Sequence, residues 1–513
     1  MTSIPFEVVL EIISRLELSD ILRIRRTCKF LQEATIAKPI WTNLFWECER
    51  ESFGALSLEK PFEIYTSDEI ERVVLSWKTM QIGWRTNDGV PSRRRTILMD
   101  KEWFNNRSWP LKAFRHLYLV PGGRWLLGFR PDGEVFYYDL ESPDYEKKRI
   151  LVPAYTKDSL RNDVTISVDI SERLPIQSFR VAQSVREHST AGGTKYWGIK
   201  VWEVFFVFEG KKVTALVATC LKTIPVDPAC DDSMFSISLR NEHLAIAVRY
   251  LYPTHGNVTC LQYVYILEWS DVVDGSLDYN RRVLYADEAQ EIQEIHLLPN
   301  DKIFALAPPF ASVYNFSSLQ HTNSTPELRP DHSNLTPPST CQLHSFSWSI
   351  KASIPYVSQH CVHVLYTMSS KTLHAITIPD NLGGGAHVST SQLVAKPLLP
   401  LPRHEIAKDW PAPYNLGIRR GVLYNTDYDT ASAMLILLEY DPQQDFTPDY
   451  VPVVKTFPCG RVKVGDPDDP ILACSGPILN ILLDEGSGRV VVPYSGRFEV
   501  LDFALFHKYR STS

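Results

Sequence analysis

HLYLVPGGRWLLGFRPDGEVFYYDL, residues 116–140, is the stretch whose reading decides the fold of most of this 513-residue chain. It runs from a strand end through a polar turn at Pro121-Gly122-Gly123 into a short apolar run. A second turn follows at Pro131-Asp132-Gly133, and the last run closes on Tyr138-Asp139. Short runs rich in Val, Ile, Tyr and Phe, bounded by Gly, Pro, Asn and Asp, mark successive strands. The same order returns at 296–316 (HLLPNDKIFALAPPFASVYNF), where Pro299-Asn300-Asp301 lies over the first turn. It returns again at 482–503 (LLDEGSGRVVVPYSGRFEVLDF), and Glu268-Trp269 and Glu439-Tyr440-Asp441 read as further closings.

Working outward, similar runs stand at 204–208 and 213–219 around Glu209-Gly210, then at 244–249, 263–268, 303–306 and 313–316. Others stand at 361–367, 373–378, 435–438, 490–492 and 498–501. From Trp109 to residue 506 no long helix reads convincingly, and that span is too long for one sandwich. The repeated unit resembles a degenerate WD-repeat-like β-propeller. The Gly-His and Trp-Asp dipeptides of regular WD repeats are missing, with Tyr138-Asp139 and Leu501-Asp502 the nearest remnants. About 24 strand candidates at four per blade give six blades, and unrecognised runs raise the count. Six to eight blades are expected, with seven the preferred number. Residues 489–505 are expected to close the ring by pairing with strands near 114–120, which removes a free sheet edge.

Hydrophobic content of 44% and charged content of 22% are those of a globular protein, and a net charge of -7 argues against nucleic acid or an anionic membrane as the main partner. Arg93-Arg94-Arg95, within the polar stretch 86–100, reads as part of a solvated surface loop. No basic and apolar leader opens the chain and no run of eighteen apolar residues occurs. The nine cysteines are scattered without a repeated spacing, which fits free thiols in a reducing compartment. A cytoplasmic or nuclear location is expected, so sequons such as Asn257-Val258-Thr259 carry no meaning.

The first residues differ from everything after them. In 4–46 (IPFEVVLEIISRLELSDILRIRRTCKFLQEATIAKPIWTNLFW), Pro5, Val8, Val9, Ile12, Ile13 and Leu16 recur at helical spacing as one apolar face. Leu10 lies off that face. Ser19 is placed to cap a second helix with an inner stripe of Ile21, Ile24, Cys28 and Leu31, from which Leu22 projects. A third segment starts at Pro39 and carries Ile40, Trp41, Leu44 and Phe45. Helices this short bury little alone, and without zinc-spaced cysteines a partner explains the surplus apolar residues. Ile4-Pro5-x-Glu7-Val8-Val9, Ser14-x-Leu16, Asp20-Ile21, Cys28 and Pro39-Ile40-Trp41 resemble the F-box pattern.

The expected organisation is mainly β with a small all-α N-terminal module: a three-helix F-box at 1–50, a helical connector and loop at 51–108, and a propeller at 109–506. In the connector, Thr66 with Glu69 reads as a capping box, and Ile70, Val73, Val74, Trp77 and Met80 continue a helix to about Trp84. The F-box resemblance, closest to the expanded fungal group with poorly conserved propellers, implies a substrate receptor of an SCF-type cullin-RING ubiquitin ligase. Its helices would dock on a Skp-family adaptor that links to cullin and RING protein, and its propeller would hold an unidentified protein target. Ile4, Pro5, Val8, Val9, Leu10, Ile12, Leu16, Ile21, Leu22 and Trp41 are the positions that the resemblance assigns to adaptor binding or its support. Leu10 and Leu22 are the expected direct contacts. The alternative is a propeller scaffold using the F-box outside a ligase.

No active site, cofactor or metal site is expected. Gly383-Gly384-Gly385 lacks the Lys-Ser/Thr of a phosphate loop. Cys361 and His363 share one strand face while His360 takes the other, too few ligands for zinc. Asp466-Pro467-Asp468-Asp469 reads as a rigid acidic turn rather than a calcium site. The Pro-, Ser- and Thr-rich residues 320–340 read as a long exposed loop, with Thr325-Pro326 and Thr336-Pro337 its proline-directed dipeptides. A phosphate-reading target site would want three arginines to converge from among Arg124, Arg180, Arg249, Arg281, Arg282, Arg419 and Arg420.

Overall fold

The structure is a computed structural model that describes residues 4–52, 54–86, 90–99, 117–130, 132–154, 164–170, 175–187, 196–227, 236–254, 257–286, 292–323, 339–343, 352–358, 361–367, 372–379, 393–400, 414–427, 432–440, 453–461, 481–494 and 497–505. Trp109, His360, the glycines at 383–385, the acidic turn at 466–469 and the two Thr-Pro dipeptides lie outside these residues.

The described residues of the β-rich part form seven antiparallel sheets, six of four strands and one of five. Blade 1 spans 117–152, blade 2 166–225, blade 3 236–286 with the short strand His321–Thr322, and blade 4 294–342. Blade 5 spans 356–400, blade 6 414–461, and blade 7 482–502. Strands alternate their side chains between two faces, and here both faces are covered. Leu127 packs toward blade 2 while its neighbour Leu126 packs toward blade 7. Ile246 faces blade 2 while Ala247 faces blade 4. Seven apolar clusters result, one for each pair of neighbouring blades, including blades 7 and 1. The sheets therefore close into a seven-bladed, WD40-like β-propeller.

The repeats at 116–140, 296–316 and 482–503 cover, within the described residues, the first three strands of blades 1, 4 and 7. Their acidic closings have a physical partner. Asp139 accepts two bonds from Arg124 at 2.9 Å, and Asp502 accepts one from Arg489 at 2.5 Å. Glu439 faces Arg420 directly across its strand pair. In blades 1, 6 and 7 a cation at the start of one strand thus meets the acid at the end of the next, while blade 4 has Lys302 opposite Asn315.

The ring closes differently from the expected pairing. Residues 489–505 do not pair with the strand at 117–120. Strand Arg93–Leu98 adds to the outer edge of blade 7, running antiparallel from Arg93 opposite Asp502 to Leu98 opposite Arg497. The triple arginine is thus a strand rather than a solvated loop. Arg95 is buried and donates to Asp502 at 2.8 Å, and Arg94 pairs with Glu499 at 2.6 Å. Asp502 lies between Arg95 and Arg489. Burial opposes its ionisation, but the two guanidiniums prevail and hold its carboxyl below the usual range.

Among the described residues five α-helices precede the ring: α1 (Phe6–Ile13), α2 (Leu18–Ile24), α3 (Lys29–Thr35), α4 (Lys38–Ser52) and α5 (Ser67–Thr86). The expected capping box forms, with Thr66 N–H donating to Glu69 at 2.8 Å and Glu69 N–H donating back to Thr66 Oγ1 at 3.3 Å. The helices share one apolar core that runs from Val9 and Ile13 through Trp41 and Phe45 to Val74, Trp77 and Met80, and reaches Ala504. They rest on four blades. Trp84 packs on Phe503 at 5.0 Å, Arg85 forks onto Glu439 of blade 6 at 2.8 and 3.0 Å, and Arg420 lies over Trp77 and Trp84 at 5.6 and 5.9 Å. On the other side, Glu59 accepts from Arg124 and Trp125 of blade 1, and Lys60 donates to the Lys211 carbonyl of blade 2. The approach is closest at two glycines. A side chain at Gly83 would strike the Phe503 carbonyl, and one at Gly488 would strike Met80.

Candidate docking surface

Six of the eight residues of α1 are apolar, a wider arc than one buried face uses. Pro5 stands just before the helix, and its carbonyl accepts from Val8 and Val9 N–H, opening the first turn. Val9 and Ile13 point inward, with Leu10 and Leu16 half-buried against the same core. Ile4, Val8 and Ile12 are left 57%, 47% and 52% exposed. The continuous face read from the sequence is therefore split, with Pro5, Val8 and Ile12 outside and Val9 and Ile13 inside.

Leu10 and Leu22 were expected to lie off the inner faces, yet both pack against the helical core. The second helix also differs from expectation. Ser19 sits inside α2 rather than capping it, and Glu17 holds the cap position without a side-chain bond. Cys28 lies between α2 and α3 and is exposed, so only Ile21 is fully buried from α2. Its chain turns before the expected stripe is complete. Ile40, Trp41, Leu44 and Phe45 are buried in α4, as the spacing from Pro39 predicts.

Trp41 is the anchor of this module. Its indole N–H donates to the Thr35 carbonyl at 2.8 Å, and the Arg25 guanidinium lies 5.3 Å from its ring. Arg25 also donates to Thr35 and forks onto Glu71 of α5 at 2.6 and 3.1 Å, tying α2, α3 and α5 together. Behind this framework the exposed apolar surface gains Phe6 and Phe30, whose rings meet edge-on at 6.0 Å. Neither lay on a stripe recognised in the sequence. The only sequence signal for them was their position outside every inner stripe.

Among the described residues no three His, Cys, Asp or Glu side chains gather as a metal site, and no helix is long and apolar enough to cross a membrane. His363 stacks on Tyr356 at 5.1 Å, inside blade 5. Three of the propeller arginines are engaged at internal joints, within a blade, between blades, or between blade and helix. Arg281 is buried against Tyr265 and Tyr279, Arg180 covers Trp269, and Arg420 is enclosed by Trp77 and Trp84.

Residues 1–46 match the F-box-like family. Comparison with curated proteins gives no match. Among solved structures, the chain is similar to the WD40 domain of SCAP from fission yeast, at 12% identity and a TM-score of 0.37, over 77% of this chain and 86% of that one. It is also similar to the β-propeller domain of Cps50 (Swd1) from Myceliophteria thermophila, at 11% identity and a TM-score of 0.39, over 75% and 95%. A third is U3-55K, at 9% identity and a TM-score of 0.38, over 80% and 99%.

Proposed function

We propose that this chain, an F-box-like helical module fused to a seven-bladed propeller, is the substrate receptor of an SCF-type ubiquitin ligase. The observation that carries the reading is the solvent-facing apolar stripe of Val8 and Ile12 on α1 with Ile4 just before it, extended by Phe6 and Phe30, inside the segment that matches the F-box-like family. A Skp-family adaptor covers this stripe. Val9, Ile21 and Trp41 support it from within, and Leu10, Leu16 and Leu22 hold its rim. The adaptor joins the chain to cullin and RING protein, and the propeller holds a protein target. The receptor makes no bond itself. It turns the encounter of a target lysine with a ubiquitin thioester into a nearly intramolecular one.

Each fully buried Val or Ile side chain contributes about 1.5–3 kcal/mol. Val8 and Ile12 have about half of that left to bury, and Glu would also carry charge into the interface, so replacing both by Glu should weaken adaptor affinity by at least ~10-fold. Co-purification of the full chain with a Skp-family adaptor tests this, with circular dichroism to show that the variant stays folded. A wild-type chain that captures no adaptor refutes the reading. Capture of adaptor without cullin, and without target ubiquitination, would favour a scaffold outside a ligase.

A further inference from the structure

A cleft of about 660 Å³ opens where the helical arm meets blades 1 and 2. Its walls are the segment around Glu59 and Lys60, the start of α5 with Arg72, and Arg149 of blade 1. The fourth wall is the hairpin turn Lys211-Lys212 of blade 2. The carboxylates on these walls are already engaged. Glu59 binds Arg124 and Trp125, and Asp139 binds Arg124. Glu69 binds Lys60 at 2.7 Å, and Glu141 binds Arg489 at 2.7 Å. Those pairs also consume the charges of Arg124 and Lys60.

Four cations remain. Arg72, Lys211 and Lys212 form no ion pair with any described residue. Arg149 gives one N–H to the Thr214 carbonyl at 3.0 Å and lies 6.0 Å from the Tyr137 ring, with no carboxylate opposite it. They come from three separate elements and surround one compact volume, within the size range of small-ligand sites. An acidic peptide would spread its charges along a line, at about 3.3 Å per residue. A polyphosphate concentrates several charges in one place, and guanidinium forks match phosphate oxygens in geometry.

We propose that this cleft binds a small ligand carrying two or more phosphate groups, clamped between α5 and the first two blades. Because α5 supplies one cation and the blades the other three, the bound ligand fastens the helical arm to the ring. The inference stands on the cleft alone and does not require the adaptor reading.

The test is calorimetric titration of the full-length chain with sodium tripolyphosphate at physiological salt, beside titrations with ATP and inorganic phosphate. The expected result is one site for tripolyphosphate, with inorganic phosphate at least about tenfold weaker, as loss of charge-assisted contacts implies. Binding of ATP as well as tripolyphosphate assigns a nucleotide source, and binding of tripolyphosphate alone assigns a non-nucleotide one. The Lys211→Glu/Lys212→Glu variant should lose at least about tenfold in affinity. Lys60 keeps its partner in that variant, because the bond goes to the backbone carbonyl. Three results overturn the proposal: no binding of tripolyphosphate at millimolar concentration, equal binding by the variant, or equal competition by a tetra-glutamate peptide.

Discussion

The closest approach of arm and ring supplies a sharp test of how rigidly they are joined. In most helices Gly→Ala is favourable, by up to about 1 kcal/mol. Gly83, in the last turn of α5, should behave in the opposite way. Built on the present backbone, a methyl carbon there overlaps the Phe503 carbonyl oxygen and lies 3.2 Å from its carbonyl carbon and 3.4 Å from Leu505 Cδ2. The oxygen belongs to the main chain and cannot swing aside, and the Phe503 N–H is itself bonded to the Gly488 carbonyl at 2.9 Å. Relief therefore requires α5 to lift from the ring. Overpacking of this kind costs about 1–3 kcal/mol, against a helical gain below 1 kcal/mol so near the helix end. Gly83→Ala should thus destabilise by about 1–2 kcal/mol. Urea unfolding followed by tryptophan fluorescence reads this directly, because the Trp84 ring sits 5.0 Å from Phe503. A variant as stable as the wild type, or more so, would mean that α5 is not held against the ring.

Three further substitutions probe other joints. Asp502→Asn leaves the buried Arg95 and Arg489 facing each other, and should cost about 3–5 kcal/mol in denaturant unfolding. Thr66→Ala removes the capping box and should cost about 1 kcal/mol by the same measurement, while Thr66→Ser should cost much less. Glu485 accepts from Ile418 and Arg419 N–H and sits near Arg420. Burial nevertheless pushes its carboxyl up from 4.5 to about 7, against the lowering effect of those partners. A raised acid binds protons more tightly when folded, so its contribution to stability falls as pH rises from 4.5 to about 7 and is constant above. Paired unfolding titrations across that range should show wild type losing stability relative to Glu485→Gln, and a flat difference would contradict the assignment.

Much of this was legible because local chemistry agreed with the fold. Pro121-Gly122-Gly123 and Pro299-Asn300-Asp301 mark equivalent turns because Gly122, Gly123, Asn300 and Asp301 all take positive φ. The Thr66–Glu69 cap needs only neighbours in sequence. What stayed hidden depended on distant chain. Arg93-Arg94-Arg95 reads as solvated because nothing local shows that Asp502 and Glu499 await it. On α1, periodicity shows a broad apolar arc without showing which part α3, α4 and α5 cover. Spacing alone thus groups Val8 and Ile12 with Val9 and Ile13 and places the half-buried Leu10 outside. The cleft beside Arg72 was out of reach for the same reason, since its cations come from positions 72, 149, 211 and 212.

The closing strand has a further consequence, for the order of events during synthesis. Arg95 and Asp502 are 407 residues apart. At about 5–20 residues per second, the strand at 93–98 leaves the ribosome roughly 20–80 s before its partner exists. The helical module ahead of it is already complete by then, but blade 7 is not. Any chain that ends before residue 497 keeps the module yet leaves strand Arg93–Leu98 an open edge and Arg95 without its carboxylate. The strand that follows the helical module is thus satisfied only by a strand made about four hundred residues later, which ties the arm to the completion of blade 7.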